Sequence, residues 1–173
     1  MVWAFLSDLK TINNKQMKIS LFFTGKTSFD FIEKGITEYE KRIKRSVNFE
    51  IKIIKDVKVG KKMPPGVLKK KEGEHILKEL KDSDFLILLD EKGKQYTSRE
   101  FAKFIENKTI TGTKRLVFVV GGAFGFSEAV YKRANSKLSL SKMTFSHQPI
   151  RLLFAEQLYR AFTIIKGEPY HND

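Results

Sequence analysis

Apolar residues along the chain alternate between short continuous runs and segments with helical spacing. The runs that predict buried strands are residues 17–24, 49–54, 84–90, 116–120 and 138–140. Helical spacing is found at residues 28–44, at Ile76, Leu77 and Leu80, at Phe101, Phe104 and Ile105, and at residues 149–165. Thr97 or Ser98 can cap the helix that contains Phe101, and Ser127 can cap a further short helix. Strands that are apolar throughout are typical of parallel sheets covered on both faces. The pattern therefore predicts an α/β fold with a mostly parallel sheet flanked by helices.

The beginning of the chain does not share this alternation. The first strand candidate opens on Met17, whereas residues 1–16 show neither a clear period nor a strong element. We expect residues 1–16 to be an N-terminal extension outside the fold, with Met17 as the natural start. Residues 17–173 then form a single domain, and residues 60–66, which carry glycine and proline, form a loop within it.

The loops that follow the strands are the places to look for chemistry, because open parallel sheets bind ligands beyond the carboxyl ends of their strands. These loops begin after Asp90, Val120 and Leu140. Gly121, Gly122 and Gly125 follow the fourth strand, where they let a ligand approach the backbone and let the chain turn into a helix. On the glycines alone, a site for an adenosine-like ligand and a plain strand-to-helix turn both remain open.

Two nucleotide-binding motifs are incomplete in this chain. Gly25-Lys26-Thr27 resembles the end of a phosphate-binding loop, but Ser20 stands where the motif requires its first glycine. Val120 likewise stands at the first-glycine position of the dinucleotide fingerprint. The sequence therefore predicts neither a nucleoside triphosphatase nor a dinucleotide-binding site.

Composition narrows the classes of function further. The chain has no cysteine, which excludes disulfides and thiolate metal sites and fits a cytoplasmic location. The apolar run near the N-terminus is too short to span a bilayer, so no membrane association is expected. A net charge of +13 favours polyanionic partners, although a solvated lysine-rich surface explains it equally well. Much of the excess lies in one stretch, offset there only by Asp56: Lys55, Lys58, Lys61, Lys62, Lys69, Lys70 and Lys71.

An ordered set of motifs identifies a family. The run LSLSKMTFSH at residues 138–147 is followed by Arg151 and by EQLYR at residues 156–160. Upstream stand LLD at residues 88–90 and GGAFGFS at residues 121–127, and the chain closes with EPYH at residues 168–171. From Met17 onward the chain resembles the RlmH family of SPOUT methyltransferases.

This resemblance implies a fold, a reaction and a set of ligands. The fold would be a SPOUT methyltransferase domain with a C-terminal trefoil knot, assembled as a homodimer. The reaction would be methylation of N3 of a pseudouridine in the 23S ribosomal RNA of the assembled ribosome, with S-adenosyl-L-methionine as cofactor and no metal. The implied cofactor-binding residues are Leu89, Gly121, Gly122, Leu140, Ser141, Lys142, Met143, Thr144 and Phe145.

Candidate catalytic residues follow from the proton that the target nitrogen must lose. A general base can remove this proton, or cations can stabilise the developing anion. His147 and His171 are candidates for the first role, Arg151 and Arg160 for the second, and Tyr170 accompanies His171 in the tail.

Structural roles for these residues stay open. A lone histidine is often structural, Arg160 can be a surface cation near a helix end, and Glu156 can position either arginine. The family tail usually begins with histidine where this chain has Glu168, which weakens any role for that position. Two other functions also remain open: a non-catalytic RNA-binding or ribosome-assembly factor, and a knotted methyltransferase that acts on transfer RNA.

Overall fold

The fold alternates strands and helices, as the sequence predicts. A computed structural model describes residues 17–55, 57 and 63–171. The strands are β1 (Lys18–Thr24), β2 (Asn48–Ile54), β3 (Phe85–Lys94), β4 (Arg115–Val120) and β5 (Ser136–Leu138). The helices are α1 (Asp30–Lys44), α2 (Pro65–Lys78), α3 (Ser98–Ile110), α4 (Glu128–Arg133) and α5 (Pro149–Lys166). The predictions for residues 1–16, and for Asp56, Lys58, Lys61 and Lys62, lie outside the described residues.

The five strands form one sheet in the order β2-β1-β4-β3-β5, and every neighbouring pair is parallel. Alternate residues of β1 show how both faces are used. Leu21 and Phe23 pack in one core cluster with residues of α1, α3 and α5, whereas Phe22 packs in a second cluster with residues of α2 and α4. Burial on both faces explains the continuous apolar runs and confirms the predicted α/β class. The trefoil knot stays a prediction from the resemblance.

Three predicted boundaries were wrong. The fifth strand is Ser136–Leu138 rather than residues 138–140, because it lies at the edge of the sheet, where polar Ser136 and Lys137 pair with β3. The predicted loop at residues 60–66 ends earlier, since α2 begins at Pro65, and proline suits the first helical turn. The third strand extends past residue 90 to Lys94.

No helix in the described ranges has the length and apolar character needed to cross a membrane.

The extension of β3 contains an irregularity that shapes the end of the sheet. Leu138 of β5 pairs with both Leu89 and Lys94, so the residues between them are out of register with β5. Asp90 turns this segment back on itself, because its carboxylate accepts a hydrogen bond of 2.8 Å from the Lys92 N–H. Gly93 permits the close return: a Cβ added there would lie 2.5 Å from the carbonyl carbon of Leu138. The segment 90–92 therefore projects beyond the strand ends.

We expect Gly93→Ala to destabilise the protein by about 1–3 kcal/mol, because the new methyl group overlaps backbone that cannot rotate away. The measurement is urea unfolding followed by circular dichroism. Gly66→Ala is the matched control: Gly66 lies in α2 with no heavy atom within 4 Å of an added Cβ, so the same change should stabilise by about 0.5–1 kcal/mol. Equal unfolding midpoints for the two variants would contradict the close approach of β3 and β5.

Candidate functional site

A cavity of about 630 Å³ opens at Leu89, where β3 leaves its register with β5, and at Val120 and Leu138, where β4 and β5 end. Its volume lies within the range of about 300–1,000 Å³ typical of small-molecule sites. Three segments surround it, namely residues 90–92, residues 121–126 and residues 139–147, and Tyr131 and Ile150 complete the lining. The segments that the sequence selected, those after Asp90, Val120 and Leu140, thus meet at one cavity, although residues 90–92 belong to β3 and are not a loop.

The glycine segment, residues 121–126, has no room for side chains at its first two positions, because neighbouring groups occupy that space. A Cβ on Gly121 would lie 3.0 Å from the ring of Phe126, and one on Gly122 would lie 2.8 Å from a carboxylate oxygen of Glu72. Gly125 has a positive φ of 74° and donates a hydrogen bond of 3.1 Å to the Gly122 carbonyl, which closes the turn. The hydroxyl of Ser127 caps α4, as predicted, by accepting from the Val130 N–H. This segment is therefore both a turn and an open wall of the cavity.

Short-range hydrogen bonds shape the segment 139–147. The Ser139 hydroxyl donates to the Ser141 carbonyl at 2.7 Å, and the Ser141 hydroxyl accepts from the Met143 N–H at 2.9 Å. Thr144 donates to the Glu91 carboxylate at 3.1 Å, which ties this segment to the end of β3. Of the predicted cofactor-binding residues, Lys142 is exposed and does not line the cavity, whereas all the others do. Cofactor binding by these residues stays a prediction.

Tyr131 lies on the cavity wall, although no local sequence pattern points to it. Its hydroxyl donates a hydrogen bond of 2.5 Å to Asp90, and its ring meets the edge of Phe126 at a centroid distance of 5.8 Å. Burial, together with the hydrogen bond to Asp90, raises the pKa of Tyr131 to about 12. The phenol therefore stays protonated at neutral pH and remains a hydrogen-bond donor. Its partner is 41 positions away along the chain, which is why only the fold reveals the pair.

His147 lines the cavity just before α5 begins, whereas Arg151 in the first turn of α5 is fully buried. Burial, and then the charge of Arg151, lowers the pKa of His147. The Arg151 guanidinium donates to the carbonyls of Thr24 at 2.6 Å and Gly25 at 3.0 Å, and to the hydroxyl of Thr27 at 3.1 Å. It also lies over the ring of Phe23, 4.9 Å from the ring centroid. Arg151 thus anchors α5 to the carboxyl end of β1, and it is not part of the cavity lining.

The remaining candidate catalytic residues are Arg160, Tyr170 and His171. Together with Glu156 of α5 they form a separate group, which we call the tail cluster. Arg160 donates to the Glu156 carboxylate at 2.5 and 3.0 Å and lies 3.4 Å from Nδ1 of His171. The Tyr170 hydroxyl donates to the same Glu156 oxygen at 3.1 Å, and burial raises the pKa of Tyr170. Glu156 therefore positions Arg160 rather than Arg151.

The tail cluster does not reach the cavity of its own chain. The cavity lining within the described part of the chain includes Ile150 of α5 but no member of the cluster. Arg160 follows Ile150 by ten residues, which corresponds to about 15 Å along a helix. One copy of the chain thus divides the candidate catalytic residues into two groups.

Comparison with known proteins shows the family to which the chain belongs. The family model described as "Predicted SPOUT methyltransferase" matches residues 17–171. The chain therefore belongs to the SPOUT methyltransferase family.

Its relatives agree on one member of that family. The chain is 54% identical to a protein of Parabacteroides distasonis over 157 residues, which are 91% of this chain and 100% of the relative. It is 54% identical to a protein of Christiangramia forsetii over 156 residues, covering 90% of this chain and 99% of the relative. It is 51% identical to a protein of Cytophaga hutchinsonii over 156 residues, which are 90% of this chain and 100% of the relative. All three are named ribosomal RNA large subunit methyltransferase H, which confirms the resemblance to the RlmH family.

We expect Asp90→Asn to lower the pKa of Tyr131 from about 12, because the substitution removes the negative charge that opposes the phenolate. The pKa should stay above that of free tyrosine, since burial is the larger cause. The measurement is a pH titration of the Tyr131 ¹³Cζ resonance. Glu91→Gln is the matched control: it removes a nearby charge without removing a hydrogen bond to Tyr131, so its effect should be smaller. Equal effects from both variants would contradict the contact between Tyr131 and Asp90.

Proposed function

We propose that this chain is a cytoplasmic, S-adenosyl-L-methionine-dependent enzyme that methylates N3 of a pseudouridine in the 23S ribosomal RNA of the assembled ribosome. The observation that carries this proposal is the single cavity formed by the glycine segment and the run LSLSKMTFSH. It occurs in a SPOUT methyltransferase whose relatives are named for the large-subunit ribosomal RNA.

The lining of the cavity suits S-adenosyl-L-methionine. Leu89, Leu138 and Leu140 offer apolar contacts for an adenine ring, and the glycine segment offers backbone groups. Asp90 and Glu91 place carboxylates on the same cavity, where they complement the positive charges of the cofactor. When bound, the cofactor supplies a methyl group already activated on a sulfonium. The tasks left to the protein are orientation, exclusion of water and removal of a proton.

A basic helix next to the cavity supports an RNA substrate. Lys70 and Lys71 are exposed on α2. This helix packs closely on the turn that follows the glycine segment, because a Cβ on Gly73 would lie 2.2 Å from the Ser127 hydroxyl. Lysines in this place can contact phosphates beside the cavity, which gives affinity that does not depend on sequence. The net charge of +13 favours the same kind of partner.

Exposed apolar side chains near the cavity support a homodimer. Phe124, Met143 and Phe145 on the cavity segments are exposed by 52%, 76% and 39%, and Leu153 on α5 by 42%. Large apolar side chains of this kind mark surfaces that bind a partner. If a second copy covers this surface, its tail cluster can approach a cavity that it does not reach within its own chain. The homodimer proposal therefore also accounts for the two separated groups of candidate catalytic residues.

The reaction is tested with ribosomes from a strain that lacks the gene. Purified protein should transfer labelled methyl groups to these ribosomes, and nucleoside mass spectrometry should identify 3-methylpseudouridine. Ribosomes from the parent strain are the control and should accept little label, because their site is already modified. Transfer to transfer RNA instead would favour the other methyltransferase, and RNA binding without any binding of S-adenosyl-L-methionine would favour the assembly factor.

Truncation after Pro169 tests the tail cluster, because it removes Tyr170 and His171. We expect binding of S-adenosyl-L-methionine, measured by calorimetry, to survive and methyl transfer to be lost. Gly122→Val should lose cofactor binding, and methyl transfer with it, because its side chain meets Glu72 at the cavity wall.

Co-expression of the two variants then shows in which subunit the tail acts. If the tail acts on the partner's cavity, mixed dimers restore about a quarter of the wild-type activity, because half of randomly assorted dimers are mixed and each has one intact site. No restoration in mixed dimers would show that the tail acts within its own chain. Loss of cofactor binding by the truncated protein would show that the tail is structural.

A further inference from the structure

Gln148 is a buried polar residue between His147 and Pro149, at the residue that precedes α5. Its side chain is 6% exposed and contacts three groups. Its Oε1 lies 3.0 Å from the backbone nitrogen of Ser28, and its Nε2 lies 3.2 Å from the carbonyl oxygen of Lys26. The same Nε2 lies 3.3 Å from Nε2 of His147. Gln148 thus joins the loop after β1 to a histidine of the cavity.

The first two contacts determine which end of the amide is oxygen. A backbone N–H can only donate, so the atom facing Ser28 must accept. A backbone carbonyl can only accept, so the atom facing Lys26 must donate. The orientation of the Gln148 side chain is therefore defined by its surroundings, independently of the histidine. The end that faces His147 is the NH₂ group, which has no lone pair to offer.

His147 must accept this hydrogen bond through Nε2, and a neutral imidazole carries its proton on the nitrogen that does not accept. We infer that Gln148 holds His147 as the Nδ1–H tautomer, so that His147 serves the cavity as a hydrogen-bond donor and not as a general base. The functional part of this inference rests on the function proposed above. The tautomer itself rests only on the contacts of Gln148.

The charged form of His147 is disfavoured by the same surroundings. A protonated ring would point its Nε2–H at the NH₂ group of Gln148, so that two donors would face each other. Burial and the neighbouring Arg151 guanidinium act in the same direction by lowering the pKa of His147. These surroundings favour the neutral ring, whose one lone pair accepts the hydrogen bond from Gln148.

The Nδ1–H tautomer of His147 changes which groups handle the proton and the charge in the proposed reaction. Methyl transfer to N3 would form a nitrogen–carbon bond as the sulfur–carbon bond of the donor breaks, which leaves a neutral thioether. The N3 proton would pass to solvent water, because His147 does not accept it. Negative charge on that ring spreads to the two carbonyl oxygens that flank N3. An N–H donor stabilises such charge in a cavity that excludes water. His147 is thus a positioning and charge-stabilising residue, and Gln148 is the residue that sets its hydrogen bonding.

The two other histidines provide internal standards. Nδ1 of His75 lies 3.0 Å from the Lys55 carbonyl oxygen, so it must donate and His75 is also the Nδ1–H tautomer. Nδ1 of His171 lies 3.4 Å from Nη1 of Arg160, which can only donate, so a neutral His171 carries its proton on Nε2. A single spectrum of the protein should therefore show both tautomers.

The tautomer is measured by long-range ¹H–¹⁵N correlation on full-length protein labelled at histidine, at a pH above the titration of all three rings. We expect His147 to match His75 and to differ from His171. In Gln148→Glu the carboxylate accepts from Nε2 of His147, so the proton should move to that nitrogen. Unchanged His75 and His171 signals show that the variant is folded. A wild-type His147 protonated on Nε2, or a spectrum unaffected by Gln148→Glu, would overturn the inference.

The donor role is tested separately by activity. His147→Gln keeps a side-chain N–H donor but provides no base, whereas His147→Ala removes both. We expect the alanine variant to lose about 100-fold in kcat, as for loss of one donor to a developing anion, and the glutamine variant to lose less than about 10-fold. Equal losses would overturn the donor role. The spectrum needs neither substrate nor cofactor, so failure of the proposed reaction would leave the tautomer result readable on its own.

Discussion

The arrangement of the site depends on one buried charge. The guanidinium of Arg151 is fully buried, and such a charge is tolerated only when hydrogen bonds replace its lost hydration. Here the carbonyl oxygens of Thr24 and Gly25 provide them, so the end of β1 and the beginning of α5 cannot separate without exposing or orphaning the charge. Gln148 and His147 immediately precede the same helix. The position of His147 thus depends on the hydrogen bonds that Arg151 donates to the end of β1.

Local pattern was sufficient for most of the fold. The apolar runs of β1 and β4 predict burial on both faces, and the capping box at Thr97 confirms one of the two predicted starts of α3. The loops after Asp90 and Val120 were identified because strand ends are where such sheets bind ligands. The boundaries of β3 and β5 were missed because they depend on a register shift at Leu138, which is an interaction between strands and leaves no trace in either segment alone.

The site was predictable only where its residues are consecutive. Residues 121–126, and residues 138–147 except Lys142, form local runs that line the cavity. Tyr131 and Gln148 were missed because their roles come from partners 41 and 120 positions away, Asp90 and Ser28. Arg151 was predicted as a candidate cation for catalysis, and sequence could not show that β1 provides its partners. The residue type predicts which interactions a side chain can make, whereas the packing determines with which neighbours it makes them.

The segment at residues 90–92 has a consequence for motion. It contacts α4 through the hydrogen bond between Asp90 and Tyr131, and it contacts the segment 139–147 through the hydrogen bond between Glu91 and Thr144. It is also the out-of-register part of β3, so it lacks the pairing with β5 that residues 87–89 and Lys94 have. A ligand that displaces one of these segments must strain the two hydrogen bonds or displace the other segments as well. We therefore expect ligand binding to restrict these linked segments together and not one at a time.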